Sequence, residues 1–399
     1  MTTWFAPGRI EVLGKHTDYA GGRSLLMALE RGVTVRVREA TAGLSARSAD
    51  APGVVDLAPT SEPLDDGHWG NYLRVTSARL ARNFGPLAPC TIDISSTLPL
   101  ASGMSSSSAL VVATALALAR FNGFDRLDSW TGELDSPERL ASYLAGIENG
   151  ATVGTLTGDD GVGTFGGSED HTAMVCCRAD HVSQFRFGPV AREADVALPE
   201  GLVFVCATSG VLAEKTGAAR ARYNGASQAA REIVQRWNLA TGREDASIGQ
   251  AIGSADDAVL RLTRLIRPDG LLETRLRHFL KESEQLVPAA TLALERTDLV
   301  GLGEICDESQ AVASSWLGNQ TPETDRLAGL ARELGAHAAS SLGAGFGGSV
   351  WALVDRSDAD GFVGSWLTRY REEFPERAAS SSVVVSRPAG PTGEVTDTL

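Results

Sequence analysis

Ala6-Pro-Gly-Arg-Ile-Glu-Val-Leu-Gly-Lys-His-Thr-Asp-Tyr-Ala-Gly-Gly22 sets a guanidinium, an imidazole and a carboxylate between chain-bending glycines. Arginine offers a fork of donors, histidine donates and accepts, and an ionised aspartate accepts two hydroxyl donors at once. That mixture suits a polyhydroxylated ligand. An ordinary turn accounts for part of the same stretch: in Asp18-Tyr-Ala-Gly-Gly22, glycine supplies a positive φ and aspartate hydrogen-bonds its own backbone. The rest of the chain decides between the two.

The 399 residues exceed the roughly 250 to 300 at which single cores stop growing, so two lobes with a cleft between them are expected. With 50 Asp and Glu against 36 Lys and Arg, the formal net charge is −14. Such a balance disfavours binding through phosphate-backbone contacts, and no nucleic-acid partner is expected. Cys90, Cys176, Cys177, Cys206 and Cys306 form no CxxC pair, and most sit in apolar context. Buried thiols in a reducing compartment account for them. The opening residues lack a basic segment followed by an apolar one, and no run of about 18 apolar residues occurs. A soluble, cytoplasmic protein without a membrane partner follows, as a monomer or weak homodimer. None of the six histidines pairs as HxxxH or HExxH, which argues against a dedicated transition-metal site.

Strand-like runs at Gly32–Arg38, Cys90–Ile94, Leu202–Cys206 and Val350–Val354 alternate with long helical stretches, a mixed α/β pattern. Ser136-Pro137 and Thr321-Pro322 each put a capping hydroxyl before proline at the first helical position, and Gly335 closes the second of these helices. A division between residues 205 and 206 is expected, giving an N-terminal domain over 1–205 and a C-terminal domain over 206–386. Residues 387–399 read as a flexible tail.

Leu98-Pro-Leu-Ala-Ser-Gly-Met-Ser-Ser-Ser-Ser-Ala109 opens directly into an apolar helix that ends at Asn122-Gly123. Unpaired N–H groups, the positive end of the helix dipole and the serine hydroxyls converge there, so phosphate oxygens can be held without a basic residue. A magnesium ion would also accept a serine oxygen. A simple serine cap explains one hydroxyl, but four consecutive serines behind Gly103 exceed what a cap needs. The Walker pattern is absent. Two stretches fit GxGxxG, at Gly161–Gly166 and Gly343–Gly348, yet neither has strand before and helix after, so both read as loops where backbone approaches a ligand or another segment.

Three blocks therefore stand in order: Gly8-Arg9 with Gly14-x-His16-Thr17-Asp18-Tyr19, then Pro99-x-x-x-Gly103-Met-Ser-Ser-Ser107, then Gly343-Ala-Gly-Phe-Gly-Gly348. Together they resemble the GHMP small-molecule kinases, and the first resembles the galactokinase signature. The resemblance implies an α+β two-domain GHMP kinase fold, with an N-terminal ribosomal-protein-S5-domain-2-like α/β domain, a C-terminal α+β domain and the active site between them. ATP and Mg2+ are implied as cofactors and a small sugar as the partner. Pro99, Gly103, Met104, Ser105, Ser106, Ser107, Ser108 and Gly345 would bind ATP. Ser107 and Glu148 fall at the family's magnesium-binding positions. Asp170, in Gly167-Ser-Glu-Asp-His171, falls at the position of the catalytic base, with Arg9 beside it. Lys15, His16, Asp18, Gly167 and Tyr223 would hold the sugar. Glu169 is the nearest competitor for the base, and Asp159-Asp160 a distant one.

The chain departs from the galactokinase pattern at Glu11, Lys15 and Ala20, where the family carries Asn, Glu and Asn. The change at Lys15 inverts a charge: lysine has three donors and no acceptor. Facing the substrate, it would suit a carboxylate, a phosphate or a differently oriented hydroxyl; a pairing with Glu11 or a turn to solvent explains it equally well. The Arg-Arg that usually follows the family's Glu-Tyr-Asn is replaced by Gly225-Ala-Ser-Gln228, with Lys215 and Arg220 ahead of it. The implied activity is transfer of the ATP γ-phosphoryl group to the anomeric hydroxyl of galactose or a related sugar. A kinase for a uronic acid, modified hexose or polyol, and a catalytically silent sugar sensor, are the alternatives.

Overall fold

The computed structural model describes residues 1–57, 64–65, 67–99, 102–212 and 217–396, with side chains from 223 onward in the last span. Among the described residues twelve strands run in chain order: β1 Thr2–Leu13, β2 Arg23–Glu39, β3 Leu44–Ser48, β4 Ala51–Asp56, β5 Cys90–Ser96, β6 His181–Arg186, β7 Ala191–Ala197, β8 Leu202–Thr208, β9 Ala338–Ser341, β10 Ser349–Asp355, β11 Val383–Ser386 and β12 Gly393–Glu394. They form two sheets. The first is ordered β12-β1-β2-β5-β3-β4, with β6 and β7 joined on through β2; the second is β11-β8-β10-β9. All pairings are antiparallel except β3 with β5.

The helix Ser106–Asn122 lies across β1 and β2, and every residue from Ser108 to Ala119 is buried. Its sequence is apolar on all sides because it is enclosed on all sides. Ala6, Ile10 and Val12 of β1 meet it in a core that continues to Cys306, Leu342 and Trp351 of the second lobe, so apolar packing joins the lobes. A second core fills the other face of the second sheet under Pro322–Glu333 and Ala359–Glu373. A third, wholly helical core (Ile233, Trp237, Leu262, Leu276, Phe279) takes in Tyr19 and Ala20 from the quoted stretch. The proposed helix starts hold: Ser136 Oγ accepts from Arg139 N–H, and Thr321 with Thr324 makes a capping box. No helix among the described residues is long and apolar enough to cross a membrane.

Two expectations about the chain's ends and division need correction. A division after residue 205 falls inside β8, all of which pairs with β10 in the second sheet. Residues 387–396 are not a loose tail. Arg387 donates to the carbonyls of Leu198, Pro199 and Leu202 at 3.0, 3.0 and 2.6 Å and pairs with Asp180, after which Gly393–Glu394 pairs with β1. A guanidinium has five donors, and buried carbonyls require partners, so one side chain anchors the segment.

Candidate active site

Arg9 sits on β1 between two register shifts against β2, at Pro7/Arg9 and at Glu11/Leu13. Such irregularities re-aim side chains. Its guanidinium is buried and reaches two acceptors. Nη2 lies 2.7 Å from Asp170 Oδ1, Nε donates to the same oxygen at 2.8 Å, and Nη1 donates to the carbonyl of Gly103 at 2.6 Å. Burial works against the cation, but Asp170, Glu169 and Glu11 outweigh it, so the Arg9 pKa is raised. One buried side chain thus ties the sugar-like signature, the Gly/Ser loop and the helix Glu169–Cys176 together.

Asp170 lies in the first turn of that helix, where the dipole favours negative charge. Ser108 Oγ donates to its Oδ2 at 3.3 Å. Its neighbour Glu169 is a different species: 5% exposed, it accepts from Ser24 Oγ at 2.6 Å. Burial, Glu11 and Asp18 hold its pKa well above the carboxylate range. Glu11, equally enclosed, is pushed up to about 7, chiefly by burial. Burial thus disfavours the charged form of the competitor for the base, while Asp170 is the acid that the guanidinium grips.

The loop after β1 turns at Gly14, where φ is +115° and a β-carbon would stand 2.5 Å from Ser24 Oγ, so only glycine fits. His16 has φ 60°. Its Nδ1 is 2.8 Å from Tyr19 Oη and its Nε2 2.9 Å from the Ala344 carbonyl, so the imidazole joins this loop to the glycine loop of the second lobe. Asp18 Oδ2 accepts from Glu169 N–H at 3.1 Å. A β-carbon at Gly167 would lie 2.3 Å from that oxygen, and one at Gly166 2.7 Å from Tyr223 Oη. These glycines leave room for Asp18 and Tyr223. Tyr223 lies on Gly217–Thr241, its ring 5.3 Å from that of His16, and burial raises its pKa well above the phenol range.

Lys15 does not join this group. It is 0% exposed, and its Nζ donates to Ser309 Oγ at 3.1 Å and Ser340 Oγ at 2.8 Å, both in the second lobe. Neither a substrate-facing nor a solvent-facing lysine survives that geometry. Of the residues flanking Tyr223, Lys215 and the Arg220 side chain lie outside those described.

At the second block, Gly103 has φ +77° and Ser105 φ 59°, and Ser105 stands at the N-cap of Ser106–Asn122 without a side-chain cap bond. Capping therefore does not account for the serines. Ser106 and Ser107 are partly exposed at the helix N-terminus, whereas Ser105 and Ser108 are buried. The Met104 side chain is buried in the core and only its backbone serves the site, its carbonyl accepting from Arg9 N–H at 3.3 Å. The Pro99 carbonyl accepts from Ser102 Oγ at 2.9 Å, and Ser349 Oγ donates to the Ser102 carbonyl at 2.6 Å, so the glycine loop packs on the Gly/Ser loop. Gly345 has φ +76°, and a β-carbon there would come within 2.2 Å of the Asn319 carbonyl.

Glu148 occupies the last turn of Pro137–Asn149, with Oε1 3.4 Å from His171 Nε2. Among the described residues no three His, Cys, Asp or Glu are grouped to hold a metal ion. The local donors are nonetheless hard oxygens, a carboxylate and helix-start hydroxyls, which fits an ion that brings phosphate and water ligands with it.

Arg9, His16, Asp18, Glu148, Gly167, Asp170 and Tyr223 line one cavity, part of it open at its mouth. Sequence reasoning gave no site role to Tyr19, Asn149, Thr164, Gly166, His171, Gly343 and Ala344, named Glu169 only as a competitor for the base, and treated Glu11 only as a departure from a pattern. Tyr19 and Ala344 stood inside quoted motifs. Asn149 and Thr164 carried no signal, because the fold alone brings them to the wall.

The family described as "Galactokinase galactose-binding signature" matches residues 2–39, "GHMP kinases N terminal domain" matches 71–167, and "GHMP kinases C terminal" matches 290–372. A galactokinase of Roseiflexus sp. is 27% identical, with 98% of this chain and 92% of the relative covered. One of Chloroflexus aurantiacus is 29% identical, covering 92% and 87%, and one of Mycobacterium tuberculosis 28%, covering 88% of each. Among solved structures, Lactococcus lactis galactokinase complexed with galactose superposes with a TM-score of 0.79 at 24% identity, covering 99% of this chain and 95% of that one. The L. major mevalonate kinase has a TM-score of 0.60 at 14% identity, covering 98% and 97%.

Proposed function

The chain belongs to the GHMP kinases, and from that premise we propose that it is an ATP-dependent sugar kinase of galactokinase type, phosphorylating the anomeric hydroxyl of galactose or a close relative. The observation that carries this reading is Arg9: it grips the Asp170 carboxylate and the Gly103 carbonyl at once, joining an acid at the sugar side to the loop suited to phosphate.

Asp170 takes the proton from the sugar hydroxyl as its oxygen bonds to the γ-phosphorus, and the bond from that phosphorus to the β,γ-bridging oxygen breaks to release ADP. Placement and charge neutralisation supply most of the acceleration. Arg9 keeps Asp170 ionised and offsets charge on the transferring group. Backbone N–H groups and hydroxyls from Gly103 to Ser108 cradle the phosphates, with Gly345 closing from the other lobe. Ser107 and Glu148 would hold Mg2+, which supplies charge neutralisation to the phosphates when bound. Asp18, His16, Gly167 and Tyr223 shape the sugar pocket; Lys15 is outside it.

The uronic acid alternative rested on Lys15 facing the substrate. That cation points away, and among the described residues Glu11, Asp18, Glu148, Glu169 and Asp170 line the cavity against the one guanidinium of Arg9, which favours a neutral sugar. We read the protein as cytoplasmic, in keeping with five buried free cysteines, and as a monomer or weak homodimer. An ADP-release assay over hexoses, uronic acids, pentoses and inositols tests the reading. Turnover is expected with galactose or a near relative; sugar binding with no turnover would make it a sensor instead.

A further inference from the structure

The loop that carries His16 and Asp18 is gripped at both ends by a part of the second lobe to which the reaction assigns no role. The helix Gly270–Lys281 passes into a π turn, Glu282–Leu286, before the helix Val287–Glu295. π turns widen a helix locally and recur at functional sites. This one sets two adjacent side chains on the two ends of the loop. Glu282 Oε1 accepts from the N–H groups of Gly14 at 2.9 Å and Lys15 at 3.3 Å, and from Ser309 Oγ at 3.0 Å. Ser283 Oγ accepts from Arg23 N–H at 2.9 Å, where the chain enters β2. Lys15 closes the network by donating to Ser309 and Ser340. Lys15, Glu282, Ser283, Ser309 and Ser340 are all 0% exposed. From the same platform Arg275 donates to the carbonyl of His16 and, at 3.2 Å, to Tyr19 Oη.

We infer that Lys15 and Glu282 are positioning residues, a buried cation and carboxylate bridged by Ser309 that clamp the sugar-side loop to the second lobe. The charge at position 15 then holds the loop and does not select the sugar. The inference rests on the sugar-kinase reading for what the loop binds, but not for the clamp itself. A buried charge whose counter-charge is removed is costly, whereas removing both charges together costs little. The acceptor must remain in either case, because the Gly14 and Lys15 N–H groups donate to it.

Four variants test it: Lys15→Met keeps the stem and removes the cation, Glu282→Gln keeps an acceptor and removes the anion, and the double variant and Lys15→Glu complete the set. Each neutral single change is expected to raise the sugar KM about tenfold with the ATP KM unchanged, and the double variant to return within about threefold of the starting protein. Lys15→Glu sets a second carboxylate against Glu282 and is expected to lower galactose use. Urea unfolding of the same four proteins should show the single changes non-additive. Ser309→Ala, which carries no charge change, serves if a charged variant does not fold, and is expected to raise only the sugar KM. Additive effects, equal changes in both KM values, or a gain in galactose use by Lys15→Glu would overturn the clamp. A starting protein that phosphorylates no sugar would overturn the kinase reading instead, and the coupling in urea would still decide the clamp.

Discussion

Glu169 and Asp170 are neighbours in the chain with the same functional group, yet their surroundings make them different acids. Glu169 faces Ser24 and a second carboxyl in a dry wall; Asp170 receives Arg9 and Ser108 at a helix start. Asp170→Asn is therefore expected to lower kcat by about 10²- to 10⁴-fold with ATP affinity retained, measured by turnover and calorimetry. Glu169→Gln should preserve far more activity, since that side chain is turned to Ser24 while Asp170 takes the short contacts of Arg9. Gly167→Ala places a methyl group on Asp18 and should raise the sugar KM with little effect on that for ATP. Glu11 adds a pH signature. Its pKa is raised from 4.5 to about 7, so the folded state binds more protons than the unfolded one across that window. Stability from this group is full below about 4.5 and is lost as pH rises through 7. Thermal melts of Glu11→Gln should show a flatter slope between those values and a higher midpoint than the unmodified protein at pH 8.

At the scale of elements, the Gly/Ser loop works because it is followed by a helix enclosed on every side. The buried apolar stretch from Ala109 to Ala119 holds the axis still, so the N–H groups at Ser106 and Ser107 stay aimed at the cleft. The opposing glycine loop has no such rod behind it and is held by contact: Phe346 N–H donates to the Asn319 carbonyl, and Ser349 reaches Ser102. Gly345→Ala collides with that same carbonyl in a backbone region that alanine enters reluctantly. The ATP KM should rise several-fold while the sugar KM holds, as initial rates at saturating sugar would show. Thr321→Ala, which removes a remote capping box, is the contrast: about 1 kcal/mol of stability lost in urea unfolding, with both KM values unchanged.

The whole molecule is tied by its chain path. β11 completes the second sheet, and within a few residues Arg387 and β12 return to the first, so the end of the chain staples the two sheets. Arg387→Ala strands several carbonyls at once and is expected to cost about 2 to 3 kcal/mol in urea unfolding, as no flexible tail would.

Much was legible in the sequence because it is local. Positive-φ glycines, serines at a helix start, proline after a capping hydroxyl and an all-apolar helix each act within a few residues, so the Gly/Ser loop and the helix starts are readable from the chain, whereas Glu148, Asp170 and Tyr223 came from the resemblance to the GHMP kinases; the fold brings them to one cavity with Arg9, His16 and Asp18. What only the tertiary structure decided depends on partners hundreds of residues away. Lys15 stands between His16 and Gly14 in the chain, but Ser309, Ser340 and Glu282 determine which way it points. Glu169 and Glu11 differ from ordinary carboxylates because burial raises the cost of charge, and burial is a property of the assembled fold. The closing segment looks polar and loose because its anchor is a single arginine whose acceptors are carbonyls, and a carbonyl leaves no mark in a sequence.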